Sequence, residues 1–113
     1  MSEQTKIVIA DDHPLFRGGL RQVIEAERSF TVVGEASDGE TALGLICELI
    51  PDVAVLDINM PGLSGFEVIG EMHVRNLPCQ TVILTMHNEE AIFAKAMSLG
   101  VRGYVLKDGA AHD

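Results

Sequence analysis

Four apolar runs of the sequence each end at polar residues that could take part in phosphate chemistry. These polar residues are Asp11 with Asp12, then Asp57, Thr85 and Lys107. In an α/β sheet, the carboxyl ends of parallel strands meet at one edge, where such proteins bind their ligands. The sequence therefore predicts one pocket with three carboxylates, a hydroxyl and an ammonium. Such a pocket could bind a divalent cation and a phosphoryl group together.

Asp57 is the best candidate for a nucleophile in this pocket. It follows the most continuously hydrophobic run of the chain, and a loop at 58–62 comes after it. A carboxylate can accept a phosphoryl group as an acyl phosphate, and such transfer depends mostly on positioning and charge neutralisation. Asp11 and Asp12 would lie on the neighbouring strand. Lys107 would neutralise a phosphoryl oxygen, and it would pair with Asp57 when no phosphate is present.

Three carboxylates in one pocket repel one another. At 4 Å and an effective dielectric near 20, each pair costs on the order of 4 kcal/mol, so at least one should have a raised pKa without a cation. Mg²⁺, or another divalent cation such as Mn²⁺, would remove that cost because it prefers oxygen ligands together with phosphate. The backbone carbonyl of Asn59 could add a ligand, and Thr85 could donate its hydroxyl to the phosphate.

Each of these residues also has an ordinary explanation. An Asp after a strand often forms a turn or caps a helix, and Asp12 precedes His13 and Pro14. Thr85 alone would fit a β-branched strand residue, and Lys107 alone would fit a solvated surface charge. Compatible groups at four of five strand ends nevertheless favour the pocket. The histidines have no zinc-like spacing and are interpreted as surface or loop residues: His13, His73, His87 and His112.

Strand-like and helix-like segments alternate along the chain, which predicts βαβ units and a parallel sheet. The predicted strands are 6–10, 30–36, 52–56, 81–84 and 103–106. Helix signals are Pro14 in a first turn, caps at Asp38, Ser64 and Asn88, and Gly100 at a helix end. The apolar residues expected to face the core are Phe16, Leu20, Val23 and Ile24, then Ala42, Leu45, Ile46 and Leu49, then Phe66, Ile69 and Met72.

Composition excludes several classes of function. The 113 residues carry a net charge of −9 with eight scattered Lys and Arg, which argues against direct nucleic-acid binding. No apolar run approaches the roughly 18 residues of a membrane span, and the N-terminus does not resemble a signal peptide. These features predict a cytoplasmic protein without membrane contact. Cys47 and Cys79 form no C-x-x-C pair, which favours two reduced thiols over a disulfide.

The ordered motifs resemble the receiver domain of a bacterial two-component response regulator, particularly of the NarL/FixJ (LuxR-type) subfamily. The similarity covers nearly the whole chain, from Lys6 to Asp108. The segments that carry it are VIADDHPLFR at 8–17, VGEASDG at 33–39, DINMPG at 57–62, LTMH at 84–87 and GYVLK at 103–107.

This resemblance implies a fold and a phosphorylation site. The fold would be a flavodoxin-like five-stranded parallel sheet of order 2-1-3-4-5 with flanking helices. Asp57 would be phosphorylated by a cognate sensor histidine kinase. By the same match, Asp11, Asp12, Asp57 and the carbonyl of Asn59 would bind Mg²⁺.

The resemblance also implies a conformational switch. Thr85 and Lys107 match the switch hydroxyl and lysine of the family, and Tyr104 matches its switch aromatic. Thr85 would move toward the phosphoryl group, Tyr104 would rotate into the vacated space, and the face of the fourth helix and fifth strand would change shape. Asn59 and His87 flank the expected line of water attack and would modulate dephosphorylation.

The C-terminus departs from the family pattern. Six residues follow Lys107, too few for another full helix, whereas the subfamily continues with a fifth helix, a linker and a DNA-binding domain. We therefore expect residues 1–113 to be a receiver domain truncated before its last helix, without a DNA-binding domain. It would be either an isolated, shortened receiver or a naturally truncated regulator. One sheet face would then be under-covered, and the chain would dimerise or self-associate through that face or through the fourth helix and fifth strand.

Two other classes of function remain as alternatives to a self-phosphorylating switch that turns over no separate substrate. Aspartate-dependent phosphatases of the dehalogenase type need a second Asp two residues after the nucleophile, and Asn59 occupies that position. A structural domain that has lost its chemistry would not be expected to keep all the acidic, hydroxyl and lysine positions.

The apolar character of the fourth helix fits either a partner surface or the high helix propensity of Ala.

Overall fold

Five parallel strands and four helices alternate in the part of the chain that the computed structural model describes, residues 4–86 and 89–107. The strands are β1 (Thr5–Ala10), β2 (Phe30–Ala36), β3 (Val53–Asp57), β4 (Gln80–Thr85) and β5 (Gly103–Leu106). The helices are α1 (Pro14–Glu25), α2 (Gly39–Leu49), α3 (Gly65–Val74) and α4 (Glu90–Ser98). The sheet order β2-β1-β3-β4-β5 confirms the predicted flavodoxin-like topology. No helix within the described ranges is long and apolar enough to cross a membrane.

Two strands extend further toward the functional edge than the apolar pattern predicted. β3 includes Asp57, which is in register with Leu84, and β4 includes Thr85, which is in register with the last residue of β5. Asp52 was expected to begin β3 but precedes it, and its carboxylate accepts a hydrogen bond from the N–H of Lys6 at 2.8 Å. Polar residues continue the ladder because strand pairing uses the backbone and not the side chains.

The two faces of the sheet are packed differently. α2, α3 and α4 pack against one face, and the largest buried side chains there include Ile46, Leu56, Ile69 and Ile83. Among the described residues, α1 is the only helix packed on the other face. Its contacts with the sheet involve Phe16, Leu20 and Ile24 against Ile7, Ile9, Val32, Val55 and Leu84. In the described part of the chain, three helices thus cover one face of the sheet and one helix packs on the other.

Two residues predicted to face the core do not. Val23 of α1 is 72% exposed and lines an open apolar groove of about 730 Å³ beside Leu15 and Leu20. In α2, Leu49 is exposed and Leu43 is buried instead. The buried stripe of that helix is therefore rotated from the predicted one.

The predicted helix caps are confirmed where the structure describes them. The side chain of Asp38 accepts a hydrogen bond from a backbone N–H of α2, and Ser64 and Glu67 form a complete capping box for α3. Gly100 follows α4 with φ of +78°, a conformation that favours glycine. Asn88, the predicted cap of α4, lies outside the described residues.

Cys47 and Cys79 are both free thiols, as predicted. Burial raises the pKa of the Cys79 thiol to about 11, and the nearby carboxylate of Asp52 adds to this rise. Cys79 therefore stays protonated at neutral pH, and a protonated thiol is a poor nucleophile.

Candidate functional site

The carboxyl ends of four strands bring the predicted site residues together. Asp11 directly follows β1, Asp57 ends β3, Thr85 ends β4 and Lys107 directly follows β5. All four residues are buried despite being polar. Asp12 is more open, with 35% of its side chain exposed. We call the group formed by Asp11, Asp12, Asp57 and Lys107 the acidic pocket.

Lys107 contacts two carboxylates of the acidic pocket at once. Its Nζ lies 2.8 Å from Oδ2 of Asp11 and 2.9 Å from Oδ2 of Asp57. The Nζ also lies 4.7 Å from the centre of the Phe16 ring, a cation–π contact. A buried charge is tolerated when it is paired. The predicted pairing of Lys107 with Asp57 is confirmed, and Asp11 is a second partner.

The charges in the pocket are only partly balanced. Burial raises the pKa of the Asp57 carboxyl, and the hydrogen bond from Lys107 offsets this only in part. For Lys107, burial lowers the pKa, but its close contacts with the carboxylates of Asp11 and Asp57 outweigh this effect, so its pKa is raised overall. The two partners behave differently because one ammonium serves two buried carboxylates. The expected raised pKa of a pocket carboxyl is confirmed for Asp57, and a further positive charge would favour its ionised form.

His13 reaches into the acidic pocket although the sequence did not assign it there. Its Nδ1 lies 3.1 Å from Oδ1 of Asp11, 3.2 Å from Oδ1 of Asp12 and 3.0 Å from Nζ of Lys107. The side chain is 61% exposed, so its interpretation as a surface residue was correct but incomplete. The sequence feature that could have indicated this contact is the position of His13 directly after the two Asp residues and directly before α1.

The arrangement of ligand atoms fits a hard divalent cation. Atoms from Asp11, Asp12, His13 and Asp57 lie within 4.8 Å of one another. Oδ2 of Asp11 is buried and makes no aligned hydrogen bond within the described residues, although Lys107 is close enough for an ionic contact. Alignment is required for a hydrogen bond but not for a Coulombic contact. This buried oxygen, together with the other carboxylates, matches the oxygen ligands that Mg²⁺ prefers.

The loop after β3 holds Asp57 in place. The N–H of Asn59 donates to Oδ1 of Asp57 at 3.2 Å, and the N–H of Ile58 donates to the carbonyl of Leu84 at 3.0 Å. At Gly65, a Cβ atom would lie 2.5 Å from the carbonyl oxygen of Asp57. Glycine is therefore required where the start of α3 approaches the strand end.

The predicted switch residues lie between the acidic pocket and an open surface. Thr85 is fully buried, and Lys107 donates its backbone N–H to the Thr85 carbonyl at 2.7 Å. Tyr104 packs edge-on against Phe93 of α4, with ring centres 5.1 Å apart and an interplanar angle of 84°. Within α4, the one buried residue is Ala96. His87, the other predicted modulator, lies outside the described residues.

The surface next to Tyr104 exposes several large apolar side chains. Phe93 and Met97 of α4 and Val105 of β5 are between 41% and 47% exposed. We call Phe93, Met97, Tyr104 and Val105 the α4–β5 face. A groove of about 560 Å³ adjoins it, and it is lined by Glu89, Glu90, Phe93, Tyr104 and Leu106.

Comparison with known proteins finds close similarity over almost all of this chain. Residues 7–113 match the family described as the response regulator receiver domain. The chain is 42% identical to the probable transcriptional regulatory protein NarL of Mycobacterium tuberculosis, and 40% identical to the nitrate/nitrite response regulator protein NarL of Escherichia coli. Each alignment covers 94% of this chain and 49% of the relative. The chain thus spans about half the length of these curated relatives.

A solved structure agrees with the sequence comparison. The signal receiver domain of the putative response regulator NarL from M. tuberculosis matches with a TM-score of 0.89 at 42% identity. The match covers 94% of this chain and 86% of that one. The strand order and the sequence similarity therefore lead to the same assignment. The chain belongs to the response regulator receiver domain family, and it is similar to NarL-type members.

Proposed function

We propose that Asp57 of this receiver domain accepts a phosphoryl group from a sensor histidine kinase. The observation that carries the proposal is a buried carboxylate at the end of a central strand, 2.9 Å from the ammonium of Lys107 and beside the carboxylates of Asp11 and Asp12. A nucleophile, a neutralising cation and cation ligands are the parts that phosphoryl transfer needs.

In the transfer step, a carboxylate oxygen of Asp57 forms a bond to phosphorus. The bond from phosphorus to the donor's imidazole nitrogen breaks, and its electron pair goes to that nitrogen. Lys107 is placed to pair with a phosphoryl oxygen because its Nζ already contacts Oδ2 of Asp57. The N–H of Asn59 holds Oδ1 of Asp57, and Oδ2 would become free to attack once Lys107 turns from it toward a phosphoryl oxygen.

Asp11, Asp12 and Asp57, with the carbonyl of Asn59, would hold Mg²⁺, or Mn²⁺ in its place. The bound ion would neutralise charge on the phosphoryl oxygens. His13 contacts two of these carboxylates, so its ring would shift when they turn toward a cation. The chain would catalyse its own phosphorylation and dephosphorylation without turning over a separate substrate.

The response to phosphorylation would reach the α4–β5 face. Thr85 would move its hydroxyl toward the phosphoryl group, and Tyr104 would rotate and break its edge contact with Phe93. Packed regions shift between discrete arrangements, and the partly exposed rings of this face have room to do so. We propose that this face, or the open groove beside α1, mediates dimerisation. Because the M. tuberculosis relative is named a probable transcriptional regulatory protein, we propose that a protein carrying this domain controls transcription.

The proposal is tested by incubating the chain with Mg²⁺ and acetyl phosphate and measuring its intact mass. We expect the gain of one phosphoryl group, which EDTA prevents and which hydroxylamine removes because it cleaves acyl phosphates. Peptide mapping should place the modification at Asp57. Absence of the gain, or a modification at a different residue, would rule out the proposed role of Asp57. Sustained turnover of a small phosphoester would support a phosphatase instead.

A further inference from the structure

We infer that Arg17 is a positioning residue for the acidic pocket, because it fixes the peptide that joins Asp11 to Asp12. Through that peptide, Arg17 sets the affinity of the pocket for its divalent cation. The inference rests on the proposed function, since it assigns a role in the same site to a side chain that contacts neither the phosphoryl group nor the cation.

Arg17 uses two separate nitrogens for two separate partners. Its Nη1 donates to the backbone carbonyl of Asp11 at 2.6 Å, and its Nε donates to Oε1 of Glu35 on β2 at 3.0 Å. The Arg17 side chain is 20% exposed, so water competes only partly for these bonds. A guanidinium can make both contacts at once because its donors form a rigid planar fork. A lysine ammonium has no such fork and could not hold both partners, so the Asp11 carbonyl would lose its fixed donor.

The main chain at Asp11 is held from both sides. The N–H of Asp11 donates to the carbonyl of Ala36 at 3.0 Å. The carbonyl of Asp11 accepts a hydrogen bond from Arg17. Because a peptide unit is planar, fixing the Asp11 carbonyl also fixes the N–H and Cα of Asp12. Asp12 is the least buried carboxylate of the pocket. Its position therefore depends more on its backbone than on surrounding side chains.

The charge of Arg17 is balanced outside the pocket. Glu35 pairs with both Arg17 and Arg21, and Arg21 also pairs with Glu25. Hydrogen bonds from these two arginines, chiefly from Arg21, lower the pKa of Glu35, so it remains ionised at neutral pH. Two arginines thus face two glutamates. The effect of Arg17 on the pocket is therefore expected to be geometric and not a simple repulsion of the metal cation.

Arg21 supplies a matched control on the same helix. It shares Glu35 with Arg17 and lies one helical turn further along α1, and its described hydrogen bonds go to Glu25 and Glu35. Arg21→Gln removes one arginine charge and one pair to Glu35, as Arg17→Gln does. Of the two substitutions, Arg17→Gln alone removes the donor to the Asp11 carbonyl.

The test measures Mg²⁺ affinity by isothermal titration calorimetry for wild type, Arg17→Gln, Arg17→Lys and Arg21→Gln, with urea unfolding as the measure of stability. Residues that orient metal ligands typically affect affinity by at least about tenfold. We expect about a tenfold loss for both Arg17 variants and less than about a twofold change for Arg21→Gln. At saturating Mg²⁺, the rate of phosphorylation by acetyl phosphate should stay within about threefold of wild type, because a binding defect is overcome by excess ligand.

Equal Mg²⁺ affinity of wild type and either folded Arg17 variant would overturn the inference and leave the proposed function intact. An equal loss in the Arg17 and Arg21 variants would also overturn it, because a general charge or stability effect would then explain the result. If the wild-type chain itself binds no Mg²⁺, the proposed function fails and the inference fails with it. Arg17→Lys keeps the charge, so it provides the decisive comparison if Arg17→Gln does not fold.

Discussion

The acidic pocket and the α4–β5 face contrast in what they bury. Asp11, Asp57 and Lys107 are charged groups that are each no more than 4% exposed. Phe93 and Met97 are apolar groups that are each more than 40% exposed. The usual distribution of polar and apolar side chains is thus reversed in both regions. Both reversals lower the stability of the fold, and natural proteins commonly tolerate such a loss at their functional sites.

The contrast explains how one region could control the other. Charges interact more strongly in a buried site than in water, so a phosphoryl group added there would strongly affect Lys107 and Thr85. The α4–β5 face is held by few buried contacts, since Ala96 is the one buried residue of α4. Regions with few buried contacts rearrange at low free-energy cost. Under the proposed function, phosphorylation of the pocket would supply a large local energy change, and the α4–β5 face would be the element that responds.

The largest expected effect is on the rate of phosphorylation when Asp57, the proposed nucleophile, is replaced. Asp57→Asn should lower the rate of Mg²⁺-dependent labelling by acetyl phosphate by at least about a hundredfold, because an amide does not form an acyl phosphate. The rate is followed by intact mass. Asp38→Asn is the control, because Asn caps a helix about as well as Asp does, and it should label normally. Equal labelling of both variants would show that the pocket is not the reactive region.

Removing the buried cation should reduce stability far more than removing an exposed one. Lys107→Met leaves Asp11 and Asp57 without their ammonium, so the free energy of unfolding should fall by about 3 kcal/mol in EDTA. Saturating Mg²⁺ should recover part of this loss. The control is Lys95→Met, whose exposed ammonium lies 4.9 Å from the Phe66 ring centre and should contribute less than about 1 kcal/mol. Urea unfolding measures the free energy of unfolding of both variants. Similar losses would contradict the claim that the buried ammonium contributes more to stability than the exposed one.

The raised pKa of Asp57 predicts a pH dependence with a definite sign. Its folded-state pKa lies above the unfolded value, so its contribution to stability is fully present at low pH and is lost as pH rises through the folded pKa. Asp57→Asn should therefore be more stable than wild type in EDTA at pH 7, and this gain should shrink toward about pH 4, near the unfolded pKa. Urea unfolding at both pH values measures the difference.

Asp38 gives the opposite sign and serves as the control for this pH dependence. A backbone hydrogen bond from Thr41 is the main cause that lowers the pKa of Asp38, so its stabilising contribution is present at neutral pH and is lost in acid. Asp38→Asn should be slightly less stable than wild type at pH 7, with the gap closing as pH falls. A destabilised Asp57→Asn at pH 7 would contradict the raised pKa.

The smallest expected effect concerns the α4–β5 face. Phe93→Leu removes the edge contact with Tyr104 and should lower the free energy of unfolding by about 1 kcal/mol. Phe30→Leu is the control, because the structure shows no ring contact for Phe30 within residues 4–86 and 89–107. Urea unfolding compares the two. An equal or larger loss for Phe30→Leu would mean that the ring contact does not stabilise this face.

The sequence predicted the pocket well because strand order and strand ends follow from simple patterns. Apolar runs located five strands, and the parallel arrangement placed Asp11, Asp57, Thr85 and Lys107 at one edge. Each of these residues is adjacent to the end of its run, so small errors in strand bounds did not matter. The cap at Asp38 was equally predictable because it depends on contacts a few residues apart.

Other features depend on contacts that no short pattern encodes. The ring of His13 reaches Lys107 across 94 positions, and Arg17 reaches Glu35 because α1 packs beside β2. The exposure of Val23 depends on which neighbours cover α1, and its helical spacing alone predicted burial. These features follow from tertiary packing, which local propensity and periodicity do not specify.

Tyr104 offers a direct test of communication between the two regions. The chain has one Tyr and no Trp, so its intrinsic fluorescence reports on Tyr104 alone. Beryllofluoride with Mg²⁺ would mimic the proposed phosphoryl group on Asp57, and ¹⁹F NMR verifies that it is bound. We predict a change in Tyr104 emission in the wild-type chain that is absent in Asp57→Asn and without Mg²⁺. Bound beryllofluoride with unchanged Tyr104 emission would contradict the proposed coupling between the acidic pocket and the α4–β5 face.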